Sequence, residues 1–210
     1  MGLDVETGER IENSQDLRAH FGPISTLAEH KVQRQLDHFC RDFIALSPFL
    51  VLSSADGLGN ADASPRGDAP GFVQVLDDTT LLIPDRRGNN RVDSFANVLA
   101  SPGVGLIFFV PGINETLRVN GAARITRDPA LLEPLAAQGK VPAAALMVEI
   151  REAFFHCGKA LMRSRLWDSA AQVERDRFPT LGRIIAEQTR KIDVAAAETL
   201  MEEGYRTRLY

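Results

Sequence analysis

Residues 64–91, SPRGDAPGFVQVLDDTTLLIPDRRGNNR, hold the side chains of this chain best placed to do chemistry. Arg66 stands beside Gly67 at the end of one extended stretch. Arg86, Arg87 and Arg91 surround Gly88-Asn89-Asn90 at the end of another, and a helix is predicted to follow directly. Guanidinium groups, side-chain amides and the unpaired N–H groups of a helix start together suit a phosphate. Gly67 lets a ligand approach the backbone closely. Charge-assisted hydrogen bonds contribute about 1.5–3 kcal/mol each. Three or four of them would supply much of the roughly 8 kcal/mol that micromolar binding requires. The pattern points to a phosphorylated cofactor rather than to metal or triad chemistry.

Other chemistries find less support. Gly57-Leu58-Gly59 follows a strand, but Asp62 takes the third position of a dinucleotide-binding motif and Ser64-Pro65 opposes a helix there, so a plain β-turn is expected. His20, His30, His38 and His156 form no H-E-x-x-H or Cys/His grouping with zinc spacing, and no metal site is expected. There is no G-x-S-x-G elbow. Cys157 lies near Lys159, yet a buried structural cysteine is the expected reading. The single tryptophan, Trp167, closes a segment with Lys159, Arg163 and Arg165; it is read either as core or as an aromatic plane beside cations.

These residues need elements to position them. A helix is predicted over 14–20, ended by Gly22-Pro23. A longer one is predicted from a Ser25 cap to about Leu46, with Leu27, Val32, Leu36, Phe39, Phe43 and Leu46 on one face. Strands are expected over 49–53, 61–66, 72–76, 80–84, 104–110, 115–120, 122–126 and 144–150, with 155 as the outer bound of the last. Asn89 or Asn90 is expected to cap a helix over 91–99, and Asp128-Pro129 to start another. The tail from His156 reads mostly helical. Closely spaced strands between 49 and 155 predict a small antiparallel barrel decorated by helices, in one domain spanning 1–210 with its core at about 30–170.

Composition sets the outer bounds. The chain has 210 residues, enough for one hydrophobic core, with 44% hydrophobic and 25% charged residues, as in ordinary soluble proteins. A net charge of -4 argues against a general nucleic-acid binder, so the arginines read as a local site for a small anion. Two distant cysteines fit a reducing compartment. The first residues carry no basic or apolar leader, Glu6 spoils a myristoylation signal at Gly2, and no apolar run has membrane-spanning length. A cytoplasmic protein without membrane or nucleic-acid partners is expected.

Five segments in order resemble the pyridoxamine 5'-phosphate oxidase-like flavoproteins: SPRGDAPGFV (64–73), IPDRRGNNR (83–91), SPGVGLIFFVPG (101–112), ETLRVNGAARI (115–125) and HCGKALMRSRLW (156–167). More narrowly, the chain is similar to a bacterial subgroup described as FMN-dependent enzymes of unknown substrate. The resemblance covers about residues 30–170. It implies an α+β, mainly β fold with flanking helices, built on a six-stranded antiparallel split β-barrel of the FMN-binding type. It also implies an FMN-dependent oxidoreductase acting on a small molecule, and a homodimer with FMN at the subunit interface. Ser64, Pro65, Arg66 and Gly67 would then lie along the flavin ring and ribityl chain. Arg86, Asn90 and Arg91 would hold the phosphate, and Thr116 would stand where some relatives place a glutamine on the ring. Lys159, Arg163 and Trp167 would approach from the partner subunit. The tail GYRTRLY does not reproduce the arginine/histidine motif of the vitamin B6 oxidases, so that activity is not assigned. The alternatives are a deazaflavin or haem in the same fold, with His156 as the haem candidate, or a non-catalytic flavin-binding regulator.

Overall fold

Alternation of apolar and polar residues builds seven strands, and the computed structural model, which describes residues 10–210, joins them in one antiparallel sheet. The strands are β1 (Phe49–Ala55), β2 (Ala61–Gly67), β3 (Gln74–Asp77), β4 (Thr80–Pro84), β5 (Gly103–Phe109), β6 (Thr116–Thr126) and β7 (Ala145–His156). Their order across the sheet is β2-β1-β5-β6-β7-β4-β3. The sheet thus has seven strands rather than the expected six. Among the described residues no pairing joins β2 to β3 or β4, so it does not close. Leu50 and Leu52 of β1, Leu81 and Ile83 of β4, Phe108 of β5, Val119 of β6 and Val148 of β7 nevertheless share one buried cluster. Strands from both halves of the order therefore face a common core, as in a strongly curled sheet.

Among the described residues, 10–32 and 33–210 form two compact units. In the first, α1 (Ser14–Phe21) is capped by Asn13, whose side chain accepts from the N–H groups of Gln15 and Asp16, and α2 (Thr26–His30) by Ser25. The reading of Gly2 and Glu6 falls outside the described residues.

The single long helix expected from Ser25 to Leu46 is two helices. α2 ends at His30, Gln33 then exchanges backbone hydrogen bonds with Ala153 of β7, and α3 (His38–Leu46) starts afresh. Asp37 causes the new start, because its side chain accepts from the Cys40 N–H at 2.8 Å. The buried residues here are Leu36, Cys40, Phe43 and Ile44, whereas Leu27, Phe39 and Leu46 of the expected face are exposed. Burial pushes the Cys40 thiol up to about 12, which leaves it a packing group.

Between β4 and β5, α4 (Asp93–Ala100) packs Val98 into the core. After β6 come α5 (Pro129–Leu132), with Asp128 as its cap and Pro129 in the first turn, and then β7. The tail carries α6 (Lys159–Ser164), α7 (Leu181–Thr189) and α8 (Val194–Thr207). Among the described residues no helix is long and apolar enough to cross a membrane.

The two strands expected on either side of Gly121 are one strand, β6, with a bulge between Asn120 and Gly121 where its register against β7 shifts. A Cβ on Gly121 would stand 2.1 Å from the Glu149 carbonyl oxygen. Only glycine allows that approach. Gly121→Ala is expected to destabilise the protein by more than about 2 kcal/mol, read as a lower midpoint in chemical denaturation. An unchanged midpoint would contradict the close contact.

A cavity at the open seam of the sheet

β2 is an edge strand, and its pairing with β1 sets which side chains face inward. Leu50 opposes Arg66, Leu52 opposes Ser64 and Ser54 opposes Asp62. Directly paired residues share a face. Asp62, Ser64 and Arg66 thus stand on the core side of the sheet, and Ala63 and Pro65 on the other. Pro65 costs nothing here, because an edge strand leaves its outer backbone groups unpaired. Gly67 is exposed, but its Cβ side is close to the chain: a Cβ would lie 3.3 Å from both the Pro48 carbonyl and the Phe49 ring. Its close neighbour is the chain itself.

Across the seam, β4 ends at Pro84, and Asp85 donates its N–H to Ala144 O at 3.0 Å. Asp85 and Arg86 then meet residues at and just beyond β2, although β2 and β4 are far apart in strand order. Arg66 Nη1 donates to Asp85 Oδ1 at 3.3 Å. Arg86 Nε donates to Asp68 Oδ2, and its Nη1 to Leu135 O at 2.8 Å.

The seam encloses a cavity of about 550 Å³, within the usual range of roughly 300–1,000 Å³ for small-ligand sites. Ser64, Pro65, Arg66, Gly67, Arg86, Asn90 and Arg91 all line it, so seven of the expected binding residues come together. Thr116 is not among them. It is buried on β6 and lines a second cavity of about 560 Å³ on the outer face of the sheet, with Val51, Ile107, Arg118 and His156. Lys159 and Arg163 on α6, and Trp167 beyond it, line neither cavity. Trp167 is half-buried, and its Nε1 donates to Ile113 O at 2.8 Å. Gly158 packs so closely on Asn114 that a Cβ would lie 2.7 Å from the Asn114 Cβ. Both ends of the α6 segment are thereby pinned to the turn after β5. Cys157, expected to be buried, is exposed and lines the outer cavity beside His156.

The start of α4 also departs from expectation. Neither Asn89 nor Asn90 caps it; Val92 does, at φ 53°, with no side-chain cap hydrogen bond. Asn89 Oδ1 instead accepts from the Arg91 N–H at 3.0 Å, and Asn90 takes a left-handed φ of 63°. Asparagine tolerates that region, but a β-branched valine is strained in it. Such strain is typical of ligand-clamping segments. The uncapped helix start opens on the cavity that Val92, Asp93 and Ser94 line.

Charge in the cavity is largely balanced. Arg91 Nε donates to Asp93 Oδ2 at 2.7 Å in a solvent-exposed pair. Arg66 and Asp85 are more sheltered, with side chains 17% and 29% exposed. Burial pushes the Asp85 carboxyl above its ordinary value, and the Arg66 charge opposes that shift. Arg66 Nε is buried and has no hydrogen-bond partner. A buried unsatisfied donor on a cation is costly and calls for an acceptor.

Asp68, Asp85, Leu209 and Tyr210 were not singled out from the sequence. Asp68 directly follows Gly67, and Asp85 sits within the arginine segment, so both were within reach of a charge-pairing argument. Tyr210 was not: its hydroxyl donates to Asp68 Oδ1 at 2.7 Å across 142 positions. Burial raises the Asp68 carboxyl, but hydrogen bonds from Tyr210, the Ala69 N–H and Arg86 outweigh it and hold the group below its ordinary 3.8.

The model of the pyridoxamine 5'-phosphate oxidase family matches residues 36–157. No curated protein matches the chain. Among solved structures, the HupZ protein of Group A Streptococcus is 15% identical, with 57% of this chain and 93% of that one covered and a TM-score of 0.48. A candidate pyridoxamine 5'-phosphate oxidase of Lactobacillus delbrueckii is 21% identical, covering 58% and 95%, with a TM-score of 0.46. An FMN-binding protein of Syntrophomonas wolfei is 11% identical, covering 68% and 96%, with a TM-score of 0.44. The family match alone carries the assignment.

Because the Asp68 carboxylate is only 4% exposed beside Arg86, Asp68→Ala is expected to cost about 2–4 kcal/mol by stranding that cation. A carboxyl held below its ordinary value stabilises the fold above that value, and the contribution is lost as pH falls through the folded-state value. Wild type should therefore lose more stability than the variant below about pH 4. Denaturation midpoints measured across that range check this, and parallel profiles would contradict it.

Proposed function

Because the chain belongs to the pyridoxamine 5'-phosphate oxidase family, we propose that it binds FMN at the seam cavity and serves as an FMN-dependent oxidoreductase for a small molecule. The observation that carries this reading is that Arg66, whose Nε is buried and unpartnered, lines one cavity together with the 86–91 loop and the uncapped start of α4. Arginine presents a planar fork suited to phosphate, and a helix start favours negative charge. The residues present therefore fit an anionic, phosphate-bearing group.

In this reading Arg66, Asn90 and Arg91 hold the phosphate, and Ser64, Pro65 and Gly67 line the path of the attached chain. Arg86 contributes mainly by bracing the seam, since Asp68 and the Leu135 carbonyl already engage its guanidinium. When bound, FMN supplies hydride transfer at its N5 atom, and the protein supplies binding, orientation and electrostatics. Lys159, Arg163 and Trp167, which line no part of the seam cavity, act on the flavin bound by a partner subunit, and Thr116, buried under the outer cavity, is left without a role on the flavin of its own seam. The outer sheet face that carries the second cavity forms part of the homodimer contact. Val51, Ile107 and Phe109 leave apolar surface there, and Phe49 is 39% exposed. Vitamin B6 oxidation is not part of the proposal, because the tail lacks the substrate-gripping motif.

One observation favours a second ligand in the same fold. His156 lines the outer cavity beside the exposed Cys157, where a haem iron could find a nitrogen ligand.

Purified protein incubated with FMN and desalted is expected to keep flavin absorption and to run as a dimer. A colourless protein that rejects FMN overturns the reading, and a haem Soret band would favour the second. Arg66→Ala removes one charge-assisted contact of about 1.5–3 kcal/mol and is expected to raise the Kd for FMN by about tenfold or more. Flavin fluorescence titration checks this, and an unchanged Kd contradicts the role of Arg66.

A further inference from the structure

Arg66 offers a fork of donors. One of them, Nη1, reaches Asp85 Oδ1 at 3.3 Å, at the long end of hydrogen-bond range, while Nε has no partner at all. A carboxylate already lies where an anionic ligand would seek the same cation. We propose that Asp85 is the resident counter-ion of the cavity. It holds Arg66 until a ligand's anionic group replaces it, and the displaced carboxylate then takes up a proton. This rests on reading the seam cavity as an anion site.

The charged groups sharing the cavity with Asp85 are Asp62 and Arg66 of β2, Arg86, Arg87 and Arg91 of the loop, and Asp93 of α4. Asp85 is the carboxylate placed to yield. Asp68, on the other side of Arg86, is fixed by Tyr210 and the Ala69 N–H and stays ionised. Asp93 pairs with Arg91 in an exposed setting where water screens both charges. Asp85 is half-buried and has one long contact to its cation, and burial already works against its charge. A phosphate on Arg66 adds a second negative charge nearby and withdraws the first compensating one. Both effects favour protonation. Among the described residues no histidine, cysteine, lysine or tyrosine lines this cavity, so a proton taken up there goes to a carboxylate.

The sign follows from linkage. Ligand binding raises the proton affinity of Asp85, so the bound state holds more protons and binding weakens as pH rises through the bound-state value. The phosphate's own titration works the opposite way, because a cationic site favours its dianion and releases a proton. Net proton uptake on binding therefore reports the protein.

Calorimetric titration of wild-type protein with FMN, in two buffers of different ionisation heat, counts those protons. Net uptake is expected, together with a Kd that rises with pH by at most about tenfold per unit for one proton. Asp85→Asn is expected to bind FMN more tightly than wild type near neutral pH, with the uptake abolished and the pH dependence flattened. Net release or no exchange in wild type at about pH 8, where a phosphate with its second pKa near 6 is already a dianion, overturns the proposal, as does a variant that binds more weakly with the wild-type slope. If the variant fails to fold, the wild-type proton count still decides. If FMN does not bind, the flavin reading falls, and the same count with inorganic pyrophosphate tests Asp85 alone. Binding of neither anion overturns both.

Discussion

The sheet curls far enough for its two halves to meet, but not far enough to pair, and ion pairs bridge the remaining seam. Arg66 to Asp85 and Arg86 to Asp68 link residues at β2 to residues just after β4, although four other strands lie between these two in the sheet order. Closing the ladder would bury the backbone edges but leave no room for a ligand. The seam keeps the edges apart and lines the gap with guanidinium groups instead. Its cost is a set of sheltered charges that must be paired, and the aspartates supply that pairing. Tyr210 and the Leu135 carbonyl secure the Arg86 side of the bridge, while the Arg66 side is left with an unfilled donor. One bridge is braced by further partners, and the other is the one we propose exchanges partners with a ligand.

Backbone geometry serves the same end. Alternation along β2 sends Asp62, Ser64 and Arg66 inward, and the β1 register fixes that choice, since a slip of one residue would turn all three outward. On the facing side, left-handed conformations at Asn90 and Val92 delay the start of α4 and leave it without a side-chain cap. The cavity thus receives side-chain cations from the sheet and loop, and N–H groups from the start of a helix.

Much of this was legible from residue order. The turn around 57–59, the β4 strand and the Asp128-Pro129 helix start follow from local patterns, whereas residues 64–67 and 86–91, read as one site from their types, meet only through the long-range seam. Asp56, for example, folds its own turn by accepting from the N–H groups of Leu58 and Asn60. The misreadings have physical causes. The apolar spacing from Leu27 to Leu46 mimics one helix, but the side chain of Asp37 caps a new one. Gly121 looks like a turn between strands and is instead a bulge where two backbones nearly touch. The count of six strands came from a family resemblance, whereas the sheet pairs seven. Long-range pairings such as Tyr210 with Asp68 leave no local signature, and Cys157 beside an apolar strand gives no hint of its exposure.

The central claim is that Arg66 awaits a phosphate at the seam. A crystal structure of the protein with FMN tests it most directly, through the distance from the Arg66 guanidinium nitrogens to the nearest phosphate oxygen. The account requires a contact of about 2.7–3.2 Å, with the rest of the phosphate against the 89–93 loop. A phosphate bound elsewhere, with Arg66 still turned to Asp85 and its Nε unfilled, would contradict it.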